Sequence, residues 1–245
     1  MLKKKLLVVA LASAFSLPAL ADDLTVSSNV SLVSDYLYRG ISQTGTNPAI
    51  QGGFDLSHAS GLYAGVWGSS ISTLGDAGIT ASGTEIDTYA GFKGAAADVG
   101  YDVGFLRYNY PGTYGTATKA DTNELYGAVS YSIVSAKLSY ALGDTFGVSK
   151  AKGTTYLELN ASYPIADTGI AVGAHYGKQT FKGATADGLA DSPSYSDYKL
   201  NVTKDFSGYV VGLAFSSTDA TPFYTNLQGK KLGKGVAVLS LSRAM

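Results

Sequence analysis

The chain has 245 residues, with 18 Lys and Arg against 19 Asp and Glu for a formal net charge of −1 and an isoelectric point near 6.1, so it lacks the basic footprint of a nucleic-acid binder. It has no cysteine and two histidines, His58 and His175, which excludes disulfide frameworks, thiolate metal sites, iron–sulfur clusters and a cysteine nucleophile and leaves little basis for a multi-histidine metal site; no cofactor is expected. Thirty Gly and 18 Tyr stand beside only 15% charged residues, a composition that suits water poorly on all sides.

Taken in chain order, the first element is a leader. Lys3, Lys4 and Lys5 form a positive start, Leu6 to Leu17 an apolar stretch too short to span a bilayer, and Ala19-Leu20-Ala21 a small-residue cleavage site. The reading is a secretory signal peptide over 1–21 and one exported domain over 22–245, whose net charge without the three lysines is −4. No apolar run of 18 residues follows, so no transmembrane helix is expected.

The rest of the chain is strand-like. Aromatic and β-branched residues alternate with small or polar ones, and Gly, Asp, Ser and Pro punctuate them. Twelve strands are predicted, near 27–39, 49–57, 62–70, 85–93, 98–110, 122–132, 134–142, 154–163, 169–178, 195–204, 209–217 and 234–243. Most exceed the usual soluble strand and match tilted membrane-crossing ones. The connections alternate in length. Short reversals fall at 58–61, 94–97, near 133, at 164–168 and at 205–208, and long loops at 40–48, 71–84, 111–121, 143–153, 179–194 and 218–233. Short turns on one rim and long loops on the other are the pattern of a transmembrane antiparallel up-and-down β-barrel. An even strand count puts both termini on the short-turn, periplasmic side, and six loops outside the cell.

The faces carry the same message. Leu157, Leu159, Ala161 and Tyr163 oppose Tyr156, Glu158, Asn160 and Ser162, and Tyr198, Leu200 and Val202 oppose Asp197, Lys199, Asn201 and Thr203. Turned outward, the apolar rows meet lipid and the polar rows line a wet lumen; every backbone group then pairs between neighbours. Tyr36, Tyr38, Tyr108, Tyr110, Tyr131, Tyr140, Tyr163, Tyr176, Tyr195 and Tyr209 fall near strand ends and are expected in aromatic girdles at the membrane interfaces. In-strand glycines Gly65, Gly68, Gly100 and Gly104 are expected to relieve crowding in the lumen or to bend the wall.

Three stretches carry a family resemblance: 29–44 (Asn29-Val-Ser-Leu-Val-Ser-Asp-Tyr-Leu-Tyr-Arg-Gly-Ile-Ser-Gln-Thr44), Pro48 to Asp55, and Ser60 to Ser69; the ending Leu239-Ser240-Leu241-Ser242 is similar too. They resemble the TorF-like family of proteobacterial porins. The resemblance implies a pore-forming barrel of the Gram-negative outer membrane, and supplies neither a substrate nor functional residues. The chain departs from many such barrels in ending at Met245 rather than on an aromatic.

Twelve strands at about 4.8 Å spacing and a tilt near 40° give a backbone diameter of roughly 24 Å and a free lumen on the order of 10 Å. By parity the lumen receives eight acids, Asp35, Asp55, Glu85, Asp87, Asp102, Glu124, Glu158 and Asp197, against Arg39, Lys93, Lys137 and Lys199, with His175 also inward. The expected function is passive diffusion of ions or small hydrophilic solutes with a weak cation preference. The charges would equally serve to brace the wall. Asp35 and Arg39, four apart near the first long loop, are the candidates for a structured pore mouth. Arg107 shares the parity of outward Val99, Tyr101, Val103 and Phe105, so it either reaches the long-loop interface or sits on a bulge. The expected partners are outer-membrane lipid and lipopolysaccharide, the outer-membrane assembly machinery, and small solutes or ions; the oligomeric state stays open and no nucleic acid is expected.

The alternatives are a barrel enzyme acting on lipid, a non-conducting barrel whose loops bind a partner, and a soluble exported β protein. His58-Ala59-Ser60 is the enzyme's only motif, and it falls on a tight turn rather than on a strand face, so no catalysis is expected there.

Overall fold

The computed structural model describes residues 23–183 and 191–245; the expected leader 1–21 lies outside them. Alternation of apolar and small polar residues produces long strands: β1 (Leu24–Val33), a two-residue pair β2 (Leu37–Tyr38) and β3 (Ile41–Ser42), then β4 (Ala49–His58), β5 (Leu62–Ser70), β6 (Thr84–Ala96), β7 (Val99–Asn109), β8 (Thr122–Tyr131), β9 (Val134–Ala141), β10 (Thr155–Ile165), β11 (Ile170–Thr180), β12 (Tyr195–Phe206), β13 (Tyr209–Thr218) and β14 (Val236–Ala244). All but β2 and β3 join in chain order into one closed antiparallel barrel of twelve strands, sealed where β1 meets β14. Closure leaves no strand edge to pair elsewhere. One helical turn, α1 (Thr73–Asp76), and a 3₁₀ turn at Pro222–Tyr224 sit in long loops. No helix among the described residues is long and apolar enough to cross a membrane.

The barrel is inside out. Leu200, Phe54, Leu32 and Phe215 point away from it and are half or more exposed, while Glu85, Glu124 and Asp197 are buried within it. The buried apolar cluster of Tyr36, Ala49, Ile71, Tyr108, Tyr110 and Ala120 gathers not between sheets but inside the lumen, at its long-loop end.

Predicted and observed strands agree closely except for the first. The prediction runs it to residue 39, but β1 leaves the wall after Val33. Ser34 ends it by bonding Leu239 in both directions: its backbone N–H donates to the Leu239 carbonyl and its Oγ accepts from the Leu239 N–H, each at 2.9 Å. The β1–β14 seam pairs Asn29–Val33 with Ser240–Ala244, and Ser28 and Met245 continue it with two further backbone bonds. Arg107 needs no bulge: β7 stays in register through Arg107 opposite Asn123, and its guanidinium bonds Asn109, Asn123 and Asp121 at the long-loop rim.

Candidate functional site

Beyond Val33 the chain turns into the barrel. Tyr38 and Ile41 pair across a two-residue turn of Arg39 (φ 47°) and Gly40 (φ 77°), the hairpin turn that needs positive φ at both central residues. Arginine is disfavoured there, and its conformation costs about 1–3 kcal/mol. The arms are stitched at their base by Asp35. Its Oδ1 accepts from Ser42 Oγ (2.6 Å) and Thr44 Oγ1 (3.0 Å); Thr44 Oγ1 accepts the Tyr36 N–H, and Ser42 Oγ the Thr46 N–H. Burial raises the Asp35 carboxyl above its ordinary range, and its Oδ2 is buried without a partner.

The tip crosses the lumen. Arg39 donates to Glu124 Oε2 on β8 and to Gln179 Oε1 on β11, both at 2.7 Å, and its guanidinium lies 4.2 Å from the Tyr156 ring on β10 and 4.9 Å from Tyr38. In the barrel order β8 stands almost opposite β1. Tyr36 donates to Glu85 on β6 (3.0 Å) and Tyr38 to the Tyr108 hydroxyl on β7 (2.8 Å). On the remaining side a Cβ on Gly40 would come within 2.6 Å of Thr218 and 2.7 Å of Asp197, so only glycine fits. Phe146, from the loop after β9, packs edge-on against Tyr38 and Tyr108 at 5.4 and 5.2 Å. The hairpin is thus held all round, and removing one partner of the buried Arg39–Glu124 pair would cost about 3–5 kcal/mol.

Below it, tyrosines lie flat on the inner wall because glycines stand opposite them. Tyr89 faces Gly65, Tyr63 faces Gly91 and Tyr126 faces Gly104. A Cβ on any of these glycines would fall within about 2.5 Å of the facing ring. Laid over, Tyr89 donates to Asp55 and Tyr63 to Asp102, each at 2.6 Å, and the Tyr63 and Tyr126 hydroxyls meet. Tyr156 crosses Gly177 likewise to Asp197 (2.9 Å). This accounts for a composition rich in both Gly and Tyr.

Two cavities result. The one toward the long loops measures about 320 Å³ and receives residues from all six of them, Ile41, Leu74, Tyr110, Phe146, Phe181 and Tyr224 among its walls. The one toward the short turns measures about 540 Å³ and is lined by Asp55, Asp87 and Asp102 with Tyr89, Tyr126 and Lys137. Tyr38 touches both, so the hairpin is the partition.

The sequence-derived residues fall as follows. Asp35 and Arg39 are not on the wall, as strand parity placed them, but in the hairpin, because β1 ends early. Glu85 and Asp87 are buried beside Tyr36, with Glu85 Oε2 and Asp87 Oδ1 unpartnered. Glu158 pairs with Lys137 at 3.6 Å. His175 bonds Asp197 (2.9 Å), Asn160 (2.7 Å) and Tyr156 (3.1 Å). Lys93 stands opposite Asp102 but lies over the Tyr63 ring at 5.3 Å, and Lys199 stands beside His175 in register. His58 Nδ1 meets Ser60 Oγ at 2.8 Å and also accepts the Ser60 N–H, which closes the turn after β4.

The tyrosine girdle needs correction. Tyr131, Tyr140, Tyr163 and Tyr209 point outward and are exposed, but Tyr36, Tyr108, Tyr110 and Tyr195 are buried inside the barrel. Their hydroxyls and rings serve the partition or the long-loop cavity, not an interface. Sequence reading also missed Gln179, Tyr156 and Phe146. An Arg-Gly pair flanked by aromatic and β-branched residues at 37–41 was the available hairpin signal.

A search of curated proteins returned no match. Among solved structures, the "KdgM porin in complex with disordered oligogalacturonate" superposes with a TM-score of 0.51 at 7% identity, covering 89% of this chain and 97% of that one. A structure reported under "Unveiling the Mechanism Behind the in-meso Crystallization of Membrane Proteins" gives 0.52 at 7% identity, with 90% and 83% covered. Pseudomonas aeruginosa OccK5 (OpdH) gives 0.45 at 13%, with 92% and 67% covered. The first two share the fold of this chain, and at such identity the fold alone. A family profile matches residues 19–245, and it is not named for the TorF-like group that the first strands resemble. The chain belongs to the family described as "Bacterial protein of unknown function (Gcw_chp)".

Proposed function

We propose that this chain is an outer-membrane porin, with its short-turn rim in the periplasm, whose lumen is closed at rest by the Tyr36–Thr44 hairpin and which passes ions or small solutes when that hairpin is displaced. The observation that carries this is the inversion of the barrel: exposed Leu, Val and Phe rows outside, and carboxylates, tyrosines and lysines inside. The porin fold of the solved structure and the TorF-like resemblance of 29–69 support the same reading, as does a leader over 1–21 that would direct export.

Asp55, Asp87 and Asp102 line the lower cavity against one lining lysine, Lys137, an excess of carboxylates that supports a preference for cations over anions. The carboxylates that accept from tyrosines brace the wall as well. Lipid, lipopolysaccharide and the assembly machinery follow from the location. The test is conductance of the refolded protein in a planar bilayer. We expect rare, brief openings for the native chain and sustained current once Arg39 is replaced. A silent Arg39→Ala protein, inserted and folded, would leave a non-conducting barrel as the better account.

A further inference from the structure

We infer that the cavity above the hairpin is a binding site for a small neutral aromatic molecule; the inference rests on the porin reading only in assigning that cavity to the outside of the cell. Three observations carry it. The first is chemical. Among the described residues none that lines this cavity is charged, and its walls are chiefly aromatic and aliphatic. That is unexpected at the mouth of a pore for hydrophilic solutes, and the lower cavity of the same barrel shows the contrast with its three aspartates and one lysine.

The second is that the polar groups best placed to anchor a hydrophilic solute are spent on the protein. Gln179 accepts from Arg39 through Oε1 and donates from Nε2 to the Thr155 carbonyl. Gln43 donates to the Ile41 carbonyl and accepts from Thr73 Oγ1. The Tyr224 hydroxyl donates to the Pro193 carbonyl at 2.6 Å. A sugar or an ion entering here would lose hydration and meet few free partners, the Tyr195 and Thr225 hydroxyls and the Asn226 amide, whereas an apolar molecule loses nothing.

The third is the ring geometry. Tyr38 with Phe146, Tyr195 with Tyr224, and Phe223 with Tyr224 meet edge to face at centroid distances of 5.4, 4.9 and 5.0 Å. Rings set this way offer both faces and edges to a guest ring, which an aromatic molecule can use and an alkane cannot. The volume of about 320 Å³ lies at the lower end of small-molecule sites, so the guest is one or two rings in size. Its floor is the hairpin itself, through Tyr38 and Ile41, so a bound guest touches the partition that the porin reading requires to move.

The experiment uses the full mature chain refolded in detergent micelles, with 4-fluorotoluene as the neutral probe and 4-fluorobenzoate as its charged counterpart, both followed by fluorine NMR. Ala77→Phe fills the cavity from its exposed rim, and Phe223→Ser with Leu227→Ser makes another part of the rim polar. We expect saturable broadening of the 4-fluorotoluene signal by the native protein and at least tenfold weaker binding by each variant, with no saturable effect on 4-fluorobenzoate. Should one variant fail to fold, as judged by heat-modifiable gel mobility, the other gives the same reading. Identical, unsaturable spectra for native and variant proteins, or equal binding of the benzoate, would overturn the inference. Conductance is scored separately: a conducting protein without saturable binding refutes this site alone, and saturable binding by a protein that never conducts refutes the porin reading alone.

Discussion

The two cavities of this barrel are built from the same twelve strands and have opposite chemistry. The lower one is lined mainly by strand residues whose polarity is set by alternation, so it is acidic and tyrosine-rich, and it is the larger of the two at about 540 Å³. The upper one is lined mainly by loop residues free of alternation, and is apolar and aromatic. The wall determines the first; the loops and the hairpin determine the second. The lesson is that barrel closure and pore closure are independent choices here, made by different parts of the chain.

The sharpest way to break the comparison is to remove the partition. Arg39→Ala leaves Glu124 and Gln179 without their shared donor and should merge the two cavities, raising single-channel current in a planar bilayer by about an order of magnitude or more, as expected for a buried ion pair worth a few kcal/mol. Arg39→Ala combined with Glu124→Ala should recover thermal stability lost by the single variant while keeping the current high, because the uncompensated charge is gone. Native-like current in Arg39→Ala would mean that the hairpin is not the barrier.

Gly40→Val acts on the same element by shape. A Cβ there collides with Thr218 and Asp197, and the φ of 77° is unfavourable for valine. The hairpin should lose its seat by about 1–3 kcal/mol. The single tryptophan reports it: Trp67 packs against Tyr36 at 5.6 Å, so its fluorescence should become more accessible to acrylamide in Gly40→Val. Unchanged quenching would place the hairpin's anchorage elsewhere.

A smaller effect should come from the lower cavity. Asp55→Asn with Asp102→Asn, measured in the conducting Arg39→Ala background, should move the reversal potential in a salt gradient toward zero by several millivolts. No movement would assign these aspartates to bracing alone, as acceptors for Tyr89 and Tyr63.

What the sequence showed and what it hid divide along the same line. The wall was legible, since period-two alternation and alternating loop lengths each follow from a strand crossing lipid. Eleven of the charged or histidine side chains assigned inward by parity could be placed without knowing any distance, because parity needs none. Asp35 and Arg39 could not. Their parity continued that of β1, and only Ser34's two bonds to Leu239 show where the chain departs. Tyr36, Tyr108 and Tyr110 were misplaced for a related reason: a tyrosine near a strand end suits a membrane interface and a lumenal plug equally well, and only burial separates them. The aromatic cavity was invisible because its walls come from six loops, distant in sequence and without period.

The smallest expected effect concerns acidity at the hairpin's base. Burial raises the Asp35 carboxyl, and the hydrogen bonds from Ser42 and Thr44 and the charge of Lys230 oppose this without cancelling it. When the hairpin swings out, Asp35 meets water and returns to an ordinary carboxylate. The sign follows: the seated state holds the proton more tightly, so the charge disfavours seating at neutral pH, and acidification through the raised pKa removes that cost. Residual current of the native protein should therefore fall as pH drops. Asp35→Asn fixes the neutral form, retains an oxygen for Ser42 and Thr44, and places an amide where Oδ2 lacks a partner. It should show the low current already at neutral pH, with a flatter profile. A profile as steep as the native one would assign the acid response to the buried Glu85 and Asp87 instead.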